Sequence, residues 1–367
     1  MAFALVVFVL VAAGCATAEP GLLVGVDDDQ IKWREQPRPI LTSVRSLGAD
    51  GMRVTLEWKP GRRNLSVRLH HELRRAVVAH REGVRIVLGV YGRATDAPST
   101  RRAREDYCRF VRNVVVRYTE IRDVVIWNEA NSETFWRPRS GAPEAYEALL
   151  ARCWDLLHAA APDVNVVTTT AAAHDPVGFV TSVAAAYRAS GRTRPLFDTA
   201  GHNPYPLYPE EPPARVHEVY VGQGDLDRYV AALDAGFGGT AQPTTPVWYL
   251  EDGFQTAVVA SRRSLYAGRE SVAAVSGKGQ AAQLGVALRL AYCQPRVTAF
   301  FNFLLVDEPS LGRWQSGLLW ADWKRKPAFA AYRQAIAEVR AGAVDCGQDS
   351  GPELSDDALL LLPARAG

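Results

Sequence analysis

The chain has 367 residues, 48% of them apolar and 22% charged, which is enough to bury the core of one large or two average globular domains. Its 42 basic and 40 acidic side chains leave a net charge of +2, so there is no electrostatic reason to expect nucleic acid or an anionic membrane surface as a partner. Basic runs such as Arg101-Arg102-Ala103-Arg104 are short and read as solvated faces.

Residues 2–13 are an unbroken apolar run, shorter than the ~20 residues a membrane span needs. Followed by Ala16-Thr17-Ala18, they predict an export signal over residues 1–18 and a secreted or extracytoplasmic protein without a membrane span. Ala12-Ala13-Gly14-Cys15 also resembles a lipoprotein box, which would place a lipid anchor on Cys15. Downstream, β-branched runs alternate with segments of helical period, the pattern of parallel βα units. Strands are expected at 22–26, 51–56, 84–90, 123–127, 164–170, 196–201, 246–250 and 297–304. Helices are expected at 40–47, 66–82, 101–118, 143–161, 177–189, 226–235, 280–291 and 328–339, the first stopped by Gly48 and the second capped by Ser66.

Eight such pairs predict an α/β fold, a (β/α)8 TIM barrel forming one domain over residues 20–342. A doubly wound sheet would carry a glycine-rich phosphate turn after its first strand, where this chain has Asp27-Asp28-Asp29. Two connections are long, 204–224 and 256–278, and both leave the carboxyl ends of strands, where a barrel builds its site. They are expected to form substrate subsites. Residues 347–367 lack any period and read as a mobile tail. Setting Cys15 aside leaves four cysteines, and their positions on neighbouring helices suggest Cys108–Cys153 and Cys293–Cys346 disulfides in an oxidising compartment. No C-x-x-C occurs to support a zinc or redox site, and no G-x-S-x-G to support a serine nucleophile; neither metal nor cofactor is implied.

Two carboxylates stand directly after apolar strands. Strand four runs Val-Val-Ile-Trp into Asn128-Glu129, and strand seven runs Val-Trp-Tyr-Leu into Glu251. An acid at such a position has left the packed interior and faces the barrel mouth. Paired acids of this kind are what glycosidic cleavage needs, one to protonate the leaving oxygen and one to meet charge at the anomeric carbon.

This arrangement resembles glycoside hydrolase clan A, in which the acid/base follows strand four and the nucleophile follows strand seven. The resemblance covers about residues 20–342 and is nearest in style to the cellulase-like family five and the xylosidase/iduronidase-like family thirty-nine. It implies a catalytic barrel with Glu129 as acid/base, Glu251 as nucleophile and Asn128 as the partner of a sugar 2-hydroxyl. Arg53, in Gly-Met-Arg-Val-Thr, matches an arginine that supports the nucleophile. His202-Asn203-Pro204-Tyr205 resembles the clan's strand-six neighbourhood, so that Tyr205 or His202 would hydrogen-bond Glu251. The end of strand eight reads Phe-Phe-Asn-Phe where many relatives have a tryptophan platform. Asn302 or Phe303 takes that position, and Trp314 or Trp320 is expected to replace the platform from the loop.

His174, after strand five, and Trp136, in the loop after Glu129, are further candidates for the cleft wall. Glu57, Glu133 and Asp252 are expected to support loops. The implied partner is a glycoside or an oligo- or polysaccharide. Two other readings use the same residues: a carbohydrate-binding barrel without turnover, and a transglycosylase.

Overall fold

The structure, a computed structural model, describes residues 21–347. The expected export signal, the lipidation motif at Cys15 and all of the expected tail beyond Gly347 lie outside the described residues. The strands are β1 (Leu23–Asp27), β2 (Gly51–Glu57), β3 (Arg85–Tyr91), β4 (Asp123–Ile126), β5 (Asn165–Val167), β6 (Ala200–His202), β7 (Val247–Asp252) and β8 (Val297–Phe303). All are parallel, in the order β5-β4-β3-β2-β1-β8-β7-β6. Isolated bridges, Val167 to Thr199 and Ala171 to Asn203, join β5 to β6 and bring the sheet round to a nearly closed barrel.

Helices follow the strands in turn, at Arg38–Leu47, Val67–Ala76, Arg101–Arg117, Ala142–Ala160, Pro176–Ala189, Leu226–Phe237, Gly277–Tyr292 and Pro327–Ala341. Gly48 ends the first in the left-handed conformation at φ 80°, and Ser66 caps the second by accepting from the Leu69 N–H. The helix expected over 66–82 breaks at Val77, after which Val78–Arg81 forms a separate turn. Both expected disulfides form: Cys108–Cys153 joins consecutive helices, and Cys293–Cys346 ties the end of one helix to the segment beyond the next.

The weakest strands are where sequence and structure differ. Residues 164–170 were expected to pair along their length, but only Asn165–Val167 form regular strand. Thr168 and Thr170 instead give their N–H groups to the carbonyls of Thr199 and Gly201 across the seam. Leu196 and Phe197 lie outside β6 because Gln242 takes their backbone groups, its amide oxygen accepting from Leu196 N at 2.8 Å and its amide nitrogen donating to Phe197 O at 2.9 Å.

Inside the barrel, Val87, Val125, Val167, Trp248, Leu250, Ala299 and Phe301 form a buried layer of their own. Phe301 reaches across it so closely that a Cβ on Gly25 would lie 2.6 Å from its ring, so only glycine fits there. Burying such a ring contributes roughly 2–3 kcal/mol. At the carboxyl end, Lys326 is buried at the start of the last helix. Its ammonium donates to Asp307 Oδ1 at 2.6 Å, Thr256 Oγ1 at 2.7 Å and the Gln315 carbonyl at 2.8 Å. Burial brings this lysine down to about 8, with the Asp307 charge opposing the fall.

Candidate active site

The carboxyl ends of the strands open into a cleft of about 940 Å³. Its floor is the next interior layer above Phe301, reached by one more step of the two-residue period. Asp27 follows Gly25 on β1, Arg53 follows Gly51 on β2, Tyr91 follows Gly89 on β3 and Phe303 follows Phe301 on β8. Gly89 has a steric reason: a Cβ there would sit 3.3 Å from the Arg53 Nη2.

Both glutamates reach the cleft through a departure from regular strand. In an extended chain Asn128 and Glu129 would point to opposite faces. Here β4 ends at Ile126, and Trp127 and Glu129 take left-handed φ values of 67° and 39°, which turns both polar residues into the cleft. Such backbone costs on the order of 1–3 kcal/mol per residue and persists only where surroundings hold it. The Trp127 indole donates to the Phe135 carbonyl at 2.7 Å, and Ser132 N–H donates to the Glu129 carbonyl at 2.8 Å. On β7, Tyr249 aligns with Phe300 but Asp252 with Asn302, an extra residue on one side of the ladder. That bulge turns Glu251 into the cleft and Asp252 away from it, where Asp252 is buried and hydrogen-bonded by Gln223.

Arg53 is buried and joins these parts. It donates to Asp27, to Glu251 Oε1 at 2.7 Å and to Asn128 Oδ1 at 3.2 Å. Tyr205 donates its phenol to the other oxygen of Glu251 at 3.0 Å. Burial, then the Glu251 charge, holds that phenol well above its usual range, so it stays a donor. Asn203 Nδ2 donates to Glu129 Oε1 at 2.8 Å. The Glu129 carboxyl is pushed up to about 7, first by burial and then by the negative charge of Glu251; Asn203 and Arg53 oppose the rise. One carboxylate is thus clamped by a cation and a phenol, while the other holds its proton toward neutral pH. Burial likewise lifts Asp28 to about 7, although the backbone N–H groups of Gln30, Leu305 and Val306 donate to it.

Among the other expected residues, His174 and Trp314 line the cleft. Trp314 stacks on Tyr205 at 5.6 Å and 22°, with Phe303 edge-on at 5.8 Å, so the aromatic shelf is built from Trp314 and Phe303. Asn302 is not part of it: its phase on β8 is opposite to that of Phe303, and its side chain is buried, donating to the Leu304 carbonyl. Trp320 is buried beside Tyr266 and Leu311 instead. Trp136 does not reach the cleft either; it is fully buried, edge-on to both Trp127 and Tyr146.

His202 lies one step out of phase with Asn203 and points into the barrel–helix interface. There it stacks on Tyr229 and bonds to Thr170 and the Val221 carbonyl, and burial lowers it to about 4, leaving it neutral. Glu57 and Glu133 are outside the cleft wall. The connection after β6 contributes Tyr205, Pro206, Leu207 and Tyr220 to the cleft, but residues 256–278 contribute none, and the segment after β8 supplies the wall in their place.

Reading the sequence missed Asn203, Tyr91, Thr55 and Trp323, all of which line the cleft. Asn203 and Tyr91 were discoverable as the next in-phase positions beyond Gly201 and Gly89. Trp323 carried no signal, since it stands in an irregular segment. Among the described residues, no group of three or more His, Cys, Asp or Glu is placed to hold a metal ion, and no helix is long and apolar enough to cross a membrane.

No family model and no curated protein sequence matches the chain. Solved structures do. A family 39 glycoside hydrolase from Bacteroides cellulosilyticus WH2 superposes with a TM-score of 0.66 at 18% identity, over 87% of this chain and 64% of its own length. A GH5_18 protein from Streptomyces cattleya, solved in complex with Manβ1-4GlcNAc, gives 0.63 at 15% identity, over 88% and 81% of the two chains. The GH53 catalytic domain of Ignisphaera aggregans gives 0.61 at 13% identity, over 87% and 98%. This chain therefore spans less than two thirds of the family 39 structure. These neighbours are clan A glycoside hydrolases, and at such identities what they share with this chain is the (β/α)8 barrel.

Proposed function

We propose that the chain is a retaining glycoside hydrolase whose barrel, residues 20–342, is one catalytic unit exported to an oxidising compartment. The observation that carries this reading is the asymmetry of the two glutamates: Glu251 is held by Arg53 and Tyr205, while Glu129 keeps its proton up to about 7. A Glu251 oxygen attacks the anomeric carbon and forms an ester as the glycosidic bond breaks, and the Glu129 proton passes to the leaving oxygen. Forming the ester removes the Glu251 charge, which makes Glu129 a stronger acid and readies its carboxylate to take a proton from water. The water oxygen then replaces the ester oxygen, and both groups return to their first states. Asn128 lines the same space, which supports its reading as the partner of a sugar hydroxyl. The two disulfides and the absence of a membrane-spanning helix among the described residues agree with export; free secretion and a lipid anchor at Cys15 fit equally.

The test is a panel of α- and β-linked aryl glycosides, followed by trapping with the 2-deoxy-2-fluoro analogue of whichever sugar is cleaved. The expected results are retained anomeric configuration, a sugar adduct on the peptide containing Glu251, and a loss in Glu251→Gln on the order of a thousandfold or more. Inverted product, or a Glu251→Gln enzyme with wild-type turnover, refutes the proposal. A carbohydrate-binding barrel would be stabilised by sugar yet give neither phenol nor adduct.

A further inference from the structure

The two sides of the cleft differ in chemistry. The turn carrying Glu129 is stitched to the loop after β5 by Asn131, whose amide donates to the carbonyls of Ala171 at 3.0 Å and His174 at 2.9 Å and accepts from Ala171 N–H at 2.8 Å. Asn203 ties Glu129 to the loop after β6. The loops tied to Glu129 in this way, with its own turn, contribute Ala171, Ala172, Ala173, Pro206, Leu207 and Phe135 to the lining of the cleft. Tyr220 also lines it, but its phenol is committed to the Tyr205 carbonyl, and His174 is the ionisable side chain at its rim. The loops after β1 and β8 contribute Gln30, Arg34, Glu308 and Arg313 to the lining together with Trp33 and Trp323, Arg34 lying over the Trp323 ring at 4.0 Å.

A proton donor stands next to the oxygen it protonates, so the leaving group occupies the Glu129 side. Resting on the hydrolase reading above, we infer that this enzyme takes glycosides whose leaving group is an apolar alcohol or phenol, with the cleaved sugar on the side of β1 and β8. A second sugar beside Glu129 would bring several hydroxyls against alanine, proline and leucine side chains, which offer no hydrogen bond, leaving only Asn203 and the rim His174 as polar side chains on these loops with a free group. An alkyl or aryl group gains there by burying apolar surface. The loop that carries Leu207 also exposes Tyr208, Val216 and Val219, so the apolar character continues outward.

The experiment takes the sugar cleaved in the aryl panel and compares its octyl glycoside, its methyl glycoside and a disaccharide bearing it at the non-reducing end, all below micellar concentration. The octyl compound should exceed the methyl one in kcat/KM by about tenfold or more, with the disaccharide no better than methyl. Leu207→Asp, at a side chain already 43% exposed, should cut the octyl-to-methyl ratio at least threefold; a ratio is immune to partial misfolding. A wild-type ratio near one, or a disaccharide cleaved faster than the octyl glycoside, overturns the inference.

If no glycoside is hydrolysed, it is the hydrolase reading that fails. Binding of octyl and methyl glycosides, followed by tryptophan fluorescence, then tests the wall alone. Tenfold tighter octyl binding supports an apolar subsite, and equal binding removes it.

Discussion

Two neighbouring layers inside one barrel invite comparison. They are built from the same barrel and, on β1, β2 and β8, differ by a single step of the two-residue period. The lower layer, Val87, Val125, Val167, Leu250 and Phe301, is apolar and closely packed. The upper layer places Asp27 and Arg53 in equally buried surroundings, with Glu251 partly exposed at the cleft floor. Arg53 serves two carboxylates at once, one cation against two acids, and burial lifts Asp27 well above its ordinary range although the Arg53 charge opposes the rise. The lower layer stabilises the fold, and the upper one holds charge in a place water would otherwise screen. The difference teaches where stability and chemistry separate along one strand: between residues 25 and 27 on β1, between 301 and 303 on β8.

The contrast breaks most visibly from below. Phe301→Ala should destabilise by about 3–5 kcal/mol in chemical denaturation while the surviving folded protein keeps its kcat, because the cavity opens under the site rather than in it. If kcat falls in parallel, the layers are not separable.

The upper layer is probed by pH. With Glu129 as acid near 7, kcat/KM should fall about tenfold per pH unit above that value, so that activity at pH 9 is about a hundredfold below that at pH 6. A profile flat to pH 9 would remove Glu129 from the role.

The smallest effect is also the sharpest test of cost. The Glu129 pKa in the folded chain lies above its ordinary 4.5, so the folded state holds a proton that the unfolded chain releases. Stability from this group is present below pH 4.5 and lost as pH rises through 7. Glu129→Gln should therefore raise the melting temperature by a few degrees at pH 8 and leave it unchanged at pH 4, while abolishing activity. Destabilisation at pH 8 would contradict the buried, charge-opposed setting of this carboxyl.

Much of the architecture was legible because eight apolar runs and eight amphipathic segments alternate without interruption. The two glutamates were legible because each interrupts an apolar run. What stayed hidden was phase. A parallel strand covered on both faces reads as continuous apolar sequence, so nothing in Phe-Phe-Asn-Phe says whether Asn302 or Phe303 faces inward, and only the phase set by Gly201 separates His202 from Asn203. The bulge before Asp252 and the left-handed turn at Trp127 and Glu129 are tertiary choices, invisible to periodicity. Tryptophans mislead for a further reason: an indole suits a core as well as a cleft wall, and Trp136 went to the first, Trp314 to the second.

The buried ammonium of Lys326 has a consequence for how such a cleft can change over time. It fastens the connection after β7, the segment holding Trp314 and the onset of the terminal helix to one point. Swapping only the tryptophan-bearing segment from a cousin would strand a cation without its acceptors. Residues 256–326 thus form a cassette, and new preferences are more readily acquired by exchanging it whole, or by altering the unfastened lip at Leu207, than by piecemeal grafts.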